Sequence, residues 1–173
     1  MAKFSLSERA MLANQFRILS LLQPNEAESY DEKAEIFESG YSGLYSEALS
    51  NIDTDEISDE ICTETHDILT MFRYIKNAKE RLSAAELAGL DLPKIKFEGF
   101  DGNNDPHYHF AIFMIEKQKK YEEHDPNGLN SHSMTSMIKY RKMLPVYKEI
   151  LDAMIYDFSA PELQRLIDAV NRH

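Results

Sequence analysis

The sequence predicts an all-α fold: a single-domain bundle of about seven helices over residues 1–173, with one extended connection around residues 90–105. Two observations carry this prediction. Apolar residues recur at steps of three and four along most of the chain, as one face of an α-helix requires. Three predicted helix starts also have the Ser-x-x-Glu pattern of a capping box, in which both side chains satisfy free backbone N–H groups. The pairs are Ser5 with Glu8, Ser83 with Glu86, and Ser159 with Glu162.

The N-terminal third of the chain predicts three helices. The capping box at Ser5 opens the first, and Pro24 ends it because proline has no N–H to donate. An acidic helix over residues 25–39 stops at Gly40, the usual residue for the left-handed conformation that follows a helix. A shorter helix is predicted at residues 43–49.

The middle of the chain predicts a long helix over residues 59–82, whose first-turn Asp59 complements the helix dipole. The capping box at Ser83 opens a short helix that Gly89 ends. After the extended connection, Pro106 suits the first position of another helix, because its missing N–H would have no partner there anyway. The predicted inward face of this helix is formed by Phe110, Phe113 and Met114.

The longest apolar stripe lies in residues 133–158, where its steps alternate between three and four. Pro145 interrupts the stripe, and we predict a kink or a break there, because proline removes one helical hydrogen bond. The third capping box then opens a C-terminal helix. The residues of the stripe are Met137, Tyr140, Leu144, Tyr147, Leu151, Met154 and Phe158.

Composition narrows the class of protein. The chain is 43% hydrophobic and 28% charged, which is typical of a globular protein. Its formal net charge of −11 argues against nucleic-acid binding, since binders of that polyanion usually present a basic face. The single cysteine, Cys62, suits a reducing compartment. With no secretory signal or membrane-spanning run in the sequence, we expect a cytoplasmic protein without membrane partners.

The segment FEGFDGNNDPHYHF, residues 97–110, has the densest chemistry of the chain. Its opening acids match the start of a calcium loop, but Pro106 stands where the loop needs glycine and Ile112 where it needs glutamate. The pattern therefore favours a turn that caps the next helix, and we predict no metal and no cofactor. A functional polar site is the alternative. Its candidate binding residues are Asp101, Asn103, Asn104, Asp105, Tyr108 and His109.

Three other groups of side chains give weaker indications of a functional site. His107 and His109 are two apart, so on a helix they point about 200° apart and cannot grip one metal. Cys62 and His66 are four apart and share a face, but no second pair completes a zinc site. A basic group could form an anion or nucleic-acid patch, although such charges are usually only solvated. Its members are Lys117, Lys119, Lys120, Lys139, Arg141 and Lys142.

Four segments together resemble the YfbU family of small bacterial proteins, and the resemblance spans residues 6–169. The segments are LSERAMLANQFRILSLLQPNEAESY, ILTMFRYI, FEGFDGNNDPHYHFAIFMI and SHSMTSMIKYRKMLPVY, of which the first helix and the GFDGNN turn are the most distinctive. The resemblance implies a cytoplasmic, all-helical bacterial protein. It implies no activity, because the family is essentially uncharacterised and offers no catalytic or cofactor residues to carry over.

No phosphate-binding loop, dinucleotide fingerprint, H-E-x-x-H or G-x-S-x-G motif occurs in the sequence. The leading hypothesis is a non-enzymatic interaction or regulatory protein that self-associates, with a further protein partner left open, because Met, Tyr and Phe are plentiful at stripe positions. The alternative is an enzyme, or a binder of a small ligand or metal, that uses the polar turn at residues 101–109. Weak nucleic-acid binding through the basic group is the third hypothesis.

Overall fold

The computed structural model describes residues 3–132 and 135–171, and these residues confirm the all-α prediction. Eight α-helices lie in the described ranges, one more than the approximate number predicted, together with short 3₁₀ and π-helical turns. No helix within these ranges combines the length and the apolar character needed to cross a membrane. The chain separates into two compact units, Met1–Glu56 and Ile57–His173. The prediction of a single domain stays a prediction.

The described residues of the first unit form α1 (Leu6–Leu22), α2 (Ala27–Ser39) and α3 (Tyr45–Ala48). The capping box at the start of α1 is confirmed, because the Ser5 hydroxyl accepts from the Glu8 backbone N–H and the Glu8 carboxylate accepts from the Ser5 N–H. Gly40 ends α2 with a φ of +73°, as the sequence predicts.

The core of the first unit lies between α1 and α2. The rings of Phe37 and Tyr45 stack with centroids 5.0 Å apart, and Phe16 stacks on the other side of Phe37 at 5.9 Å. Two arginines of α1 then join the helices at the surface of this core. Arg9 donates to the backbone carbonyls of residues 37 and 38, and Arg17 pairs with two acidic side chains of α2.

The second unit contains α4 (Asp59–Arg81), α5 (Ala84–Leu87), α6 (His107–Ile112), α7 (Thr135–Asp152) and α8 (Ala160–Asn171), and π-helical turns at Phe113–Lys117 extend α6. Side chains from α4, α7 and α8 fill its core, as the helical stripes predict. The capping box at Ser83 is confirmed. At the third box the glutamate half is present, since the Glu162 carboxylate accepts from both the backbone N–H and the hydroxyl of Ser159.

Two details of the predicted stripes are wrong. Phe113 is 47% exposed and not inward-facing, because the π-helical turns that begin there rotate the following side chains away from α-helical spacing. The stripe in α7 also ends early. The helix stops at Asp152, Met154 is exposed at a φ of +60°, and Phe158 is buried only because the chain folds back and stacks its ring on Tyr74 at 5.0 Å.

The proline in α7 does not break the helix. The helix continues from Thr135 to Asp152 through Pro145, so the break allowed by the sequence is absent from this described segment. The predicted start of the stripe at Ser133 lies outside the described residues. Burial of side chains on both sides of Pro145, at Leu144 and Val146, compensates the lost hydrogen bond, which shows that packing outweighs the local preference.

The predicted extended connection is present between α5 and α6, with one 3₁₀ turn at Leu92–Ile95. It reaches an isolated parallel β-bridge between Phe100 and Asn130. The Phe100 N–H donates to the Leu129 carbonyl at 2.6 Å, and the Phe100 carbonyl accepts from the Ser131 N–H at 2.8 Å. This bridge brings the polar turn at residues 101–105 against the loop at residues 128–131.

Candidate functional site

The turn at residues 101–105 satisfies its own polar groups. The Asp101 carboxylate accepts from the Asn103 backbone N–H and from the Asn104 side-chain amide, both at 2.9 Å. The Asp105 carboxylate accepts from the Asp101 N–H at 2.7 Å. The amide of Asn104, followed by the N–H of Asn103, holds the pKa of Asp101 below its ordinary value. Both carboxylates therefore stabilise the turn from within.

The predicted turn is present, but the prediction that one of its side chains caps the next helix is wrong. No side chain caps the start of α6, where Pro106 is the N-cap residue. The turn is instead fixed from outside by Asn130, whose side-chain carbonyl accepts from the Gly102 N–H at 3.2 Å. Gly99, at a φ of +80°, has no room for a side chain, because a Cβ there would stand 2.1 Å from the Leu129 carbonyl oxygen. A binding role for the turn stays a prediction.

The three ring side chains at the start of α6 diverge. His107 is buried and stacks on Phe100 with centroids 5.7 Å apart, whereas His109 is exposed and touches only the ring of its neighbour Tyr108 within the described aromatic contacts. The two histidines therefore point apart, as helical spacing predicts. His109 was the favoured candidate from the sequence, and His107 is the residue that the fold places in a network.

His107 joins three helices through a carboxylate on α4. Its Nε2 lies 2.8 Å from the Glu64 carboxylate, which also accepts two hydrogen bonds from the Arg141 guanidinium of α7, at 2.8 and 2.9 Å. The bonds from Arg141, and then the bond from His107, hold the pKa of Glu64 below its ordinary value. Because the guanidinium neutralises Glu64, this network is a charge-balanced link between α4, α6 and α7.

The Cys62–His66 pair and the basic group also contain side chains that are hydrogen-bonded or ion-paired within the fold. His66 Nδ1 lies 3.1 Å from the Tyr121 hydroxyl, which is also 2.9 Å from the Thr70 hydroxyl, so His66 serves this network and not Cys62. In the basic group, Arg141 pairs with Glu64 and Lys139 pairs with Glu98. Across residues 3–132 and 135–171, no three His, Cys, Asp or Glu side chains come together as a metal site would need.

A cleft of about 800 Å³ lies beside α4 in the second unit, and we call it the Lys79 cleft. Its volume falls within the range of small-molecule sites. The cleft is bordered by the last turns of α4, by the extended connection and by the loop that follows the π-helical turns. The lining residues used below are Phe72, Lys76, Lys79, Lys96, Phe97 and His124. Sequence reasoning missed this cleft because its residues come from distant parts of the chain.

In the first unit, α1 has a second apolar face opposite the buried Ala13 and Phe16. Met11, Ile18 and Leu22 are spaced by seven and four residues and lie on one side of the helix. Together with Leu21, which neighbours Ile18, they form a surface that we call the α1 outer face. Its members are Met11, Ile18, Leu21 and Leu22, each between 48% and 81% exposed.

The described residues form an all-helical protein whose surface includes the α1 outer face and the Lys79 cleft. Comparison with known proteins then gives the family: residues 2–169 match the YfbU domain, so the chain belongs to the YfbU family. It is also 32% identical over 168 residues to the UPF0304 protein MJECS11 of Methanocaldococcus jannaschii, a match that covers 94% of this chain and 97% of the relative. The resemblance predicted from the sequence is thereby confirmed.

Proposed function

We propose that this member of the YfbU family is a cytoplasmic interaction protein that self-associates through the α1 outer face. The observation that carries the proposal is the exposure of four large apolar side chains on one helix whose opposite face already fills the core of its unit. Contiguous exposed apolar surface of this kind marks interaction sites in proteins that are stable in water.

The charges along α1 favour a second copy of the same chain as the partner that binds the α1 outer face. Two copies of a chain with a net charge of −11 repel each other, yet residues 9–22 contain Arg9 and Arg17 and no acidic residue. Arg17 is already neutralised by the acids of α2. Two α1 helices can therefore approach across this face without bringing carboxylates together.

The apolar area is large enough to offset the cost of association. In a symmetric pair eight of these side chains would be buried, and since each is 48–81% exposed, they contribute on the order of 8–16 kcal/mol. Loss of translational and rotational freedom costs roughly 4–15 kcal/mol. Asn14 is exposed between Met11 and Ile18, and a polar residue within such a seam fixes the register of paired helices.

The test is the mass of the protein in solution, measured by light scattering at micromolar concentration. We expect the wild type to be a dimer and the double variant Ile18→Glu, Leu22→Glu to be a monomer, because burying four carboxylates in the seam is prohibitive. The matched control is Ile52→Glu, which places the same charge on an exposed apolar residue of the first unit outside α1 and should stay dimeric.

Circular dichroism of each variant checks that the helices persist. A wild type that is strictly monomeric overturns the proposal. So does a folded double variant that remains a dimer, since the contact surface would then lie elsewhere.

A further inference from the structure

The acidic side chains around the Lys79 cleft already have partners. Glu80 pairs with Lys76, Glu98 pairs with Lys139, and Glu123 pairs with the Arg73 guanidinium. The fourth acid of the lining, Asp125, accepts from the backbone and side-chain amides of Asn127. Three of the four carboxylates are therefore paired with cations other than Lys79, and Asp125 keeps its charge but is hydrogen-bonded within its own turn.

Lys79 is the half-buried lysine of this lining, whereas Lys76 pairs with Glu80 and Lys96 is exposed. No hydrogen bond or ion pair joins the Lys79 ammonium group to any residue of the described ranges. Half-burial, followed by repulsion from the Lys139 ammonium, lowers the pKa of Lys79 from its ordinary value. A half-buried ammonium without a partner is in an unfavourable state that a bound anion would relieve.

The wall of the cleft near Lys79 is aromatic. The ring of Phe97 lies 5.0 Å from that of Phe72 and 4.6 Å from that of His124, measured between centroids. His124 Nε2 lies 3.2 Å from the Leu69 carbonyl, and burial lowers the pKa of His124, so the ring is neutral at pH 7 and donates from Nε2. A flat apolar group can therefore pack against uncharged rings in this wall.

We propose that the Lys79 cleft binds a small aromatic carboxylate, with its carboxylate on the Lys79 ammonium and its ring against Phe97. The site is separate from the α1 outer face and does not depend on self-association, because all its lining residues belong to the second unit. The charge of the ligand supplies the missing partner of Lys79, and the ring covers the exposed part of the aromatic wall.

The surroundings favour a monocarboxylate over a phosphate. Of the three lysines in the described lining, Lys76 pairs with Glu80 and Lys96 is exposed, so Lys79 is the half-buried ammonium group that offers a compensating charge, and four acidic residues stand around the cleft. A dianion would keep an uncompensated charge close to those carboxylates, whereas a monoanion would be neutralised by Lys79 alone. Phosphate sites also commonly use the bidentate fork of arginine, and the only cations that line the cleft are lysines within the described residues.

The test is titration of the full-length protein with benzoate, benzamide and inorganic phosphate at pH 7, followed by two-dimensional amide NMR. Benzoate should saturate and shift the amide signals of residues 96–98 and 124. Benzamide, which has the same ring without the charge, should bind roughly 10- to 100-fold more weakly, because it lacks the charge-assisted hydrogen bond. Phosphate should bind more weakly than benzoate.

Two variants assign the effect to Lys79. Lys79→Met should lower benzoate affinity to that of benzamide, while Lys79→Arg keeps the charge and should retain most of the affinity. The matched control Lys76→Met removes a lysine from the same wall that already pairs with Glu80, and it should leave benzoate binding within about twofold. The proposal is overturned if benzoate and benzamide bind equally, if phosphate binds best, or if folded Lys79→Met binds benzoate as the wild type does.

Discussion

The polar turn at residues 101–105 and the Lys79 cleft handle their charged groups in opposite ways. In the turn, the carboxylates of Asp101 and Asp105 accept hydrogen bonds from groups of the turn itself. In the cleft, the Lys79 ammonium has no partner among the described residues. A dense polar sequence is therefore a poor guide to a ligand site, because short polar side chains close together satisfy one another.

The difference follows from the reach of the side chains. Asp and Asn bond backbone groups two or three residues away, so a run of them builds its own turn. A lysine side chain on a helix cannot do this, and it is left without a partner whenever the fold supplies no acid opposite it. The cleft is therefore the better candidate for a ligand, although its sequence is ordinary.

The largest effect on stability is expected from a change at Phe100, the residue that anchors the polar turn in the core. Phe100 is fully buried and packs against His107, Phe97 and Tyr140. Phe100→Ala should lower the free energy of unfolding by about 3–5 kcal/mol, through lost apolar burial and the cavity that remains. Denaturation in urea measures the loss.

Phe113→Ala is the matched control, since it removes the same side chain from a position that is 47% exposed. It should cost much less than Phe100→Ala. Equal losses for the two variants would mean that the polar turn has no special anchor and would weaken the structural interpretation of residues 97–105.

A smaller effect is expected from the turn carboxylate. Asp101→Asn should lower the thermal midpoint at pH 7, because the amide keeps one acceptor oxygen and its NH₂ group cannot accept the second of the two bonds from Asn103 and Asn104. The pKa of Asp101 is lower in the folded protein than its ordinary 3.8, so its stabilising contribution is present above that pH and is lost as the pH falls through the folded value.

Thermal unfolding of the wild type and of Asp101→Asn between pH 7 and pH 2 measures this contribution. The difference between their thermal midpoints should shrink at the acid end. Asp157→Asn is the control, because Asp157 is exposed in the same unit and should show little difference at any pH. A constant difference for Asp101→Asn across the whole range contradicts the assigned role of the carboxylate.

The smallest effect on stability is expected from Lys79→Met. It distinguishes a lysine that serves ligand binding from one that stabilises the fold. The pKa of Lys79 is lowered on folding, so the unfolded chain holds more protons between the folded value and 10.5, and stability rises with pH across that window. Below it, the charged ammonium destabilises the folded state. Lys79→Met should therefore leave the urea midpoint at pH 7 unchanged or slightly raised.

Lys76→Met is the comparison, since it breaks the pair with Glu80 one helical turn away and should cost about 0.3–0.5 kcal/mol. If Lys79→Met is the more damaging of the two variants, then Lys79 has a structural partner and the contrast between the turn and the cleft disappears.

Helix positions could be predicted from the sequence because their signals are local. The capping boxes at Ser5 and Ser83 and the stop at Gly40 depend on residues at most a few positions apart, and all three were correctly placed. The differences have non-local causes. Pro145 lies within a continuous packed helix, so the break is absent while the predicted kink stays a prediction. Phe158 is buried because the chain folds back after Asp152.

The sequence by itself determined the family, the all-α class and the presence of a turn at residues 101–105, since each depends on patterns within a short stretch of chain. Only the tertiary structure decided that His107 and not His109 is buried, that Arg141 neutralises Glu64, and that Lys79 stands without a partner. The physical reason is that burial and charge pairing depend on residues far apart in the chain, here 43 positions from Glu64 to His107 and 77 from Glu64 to Arg141.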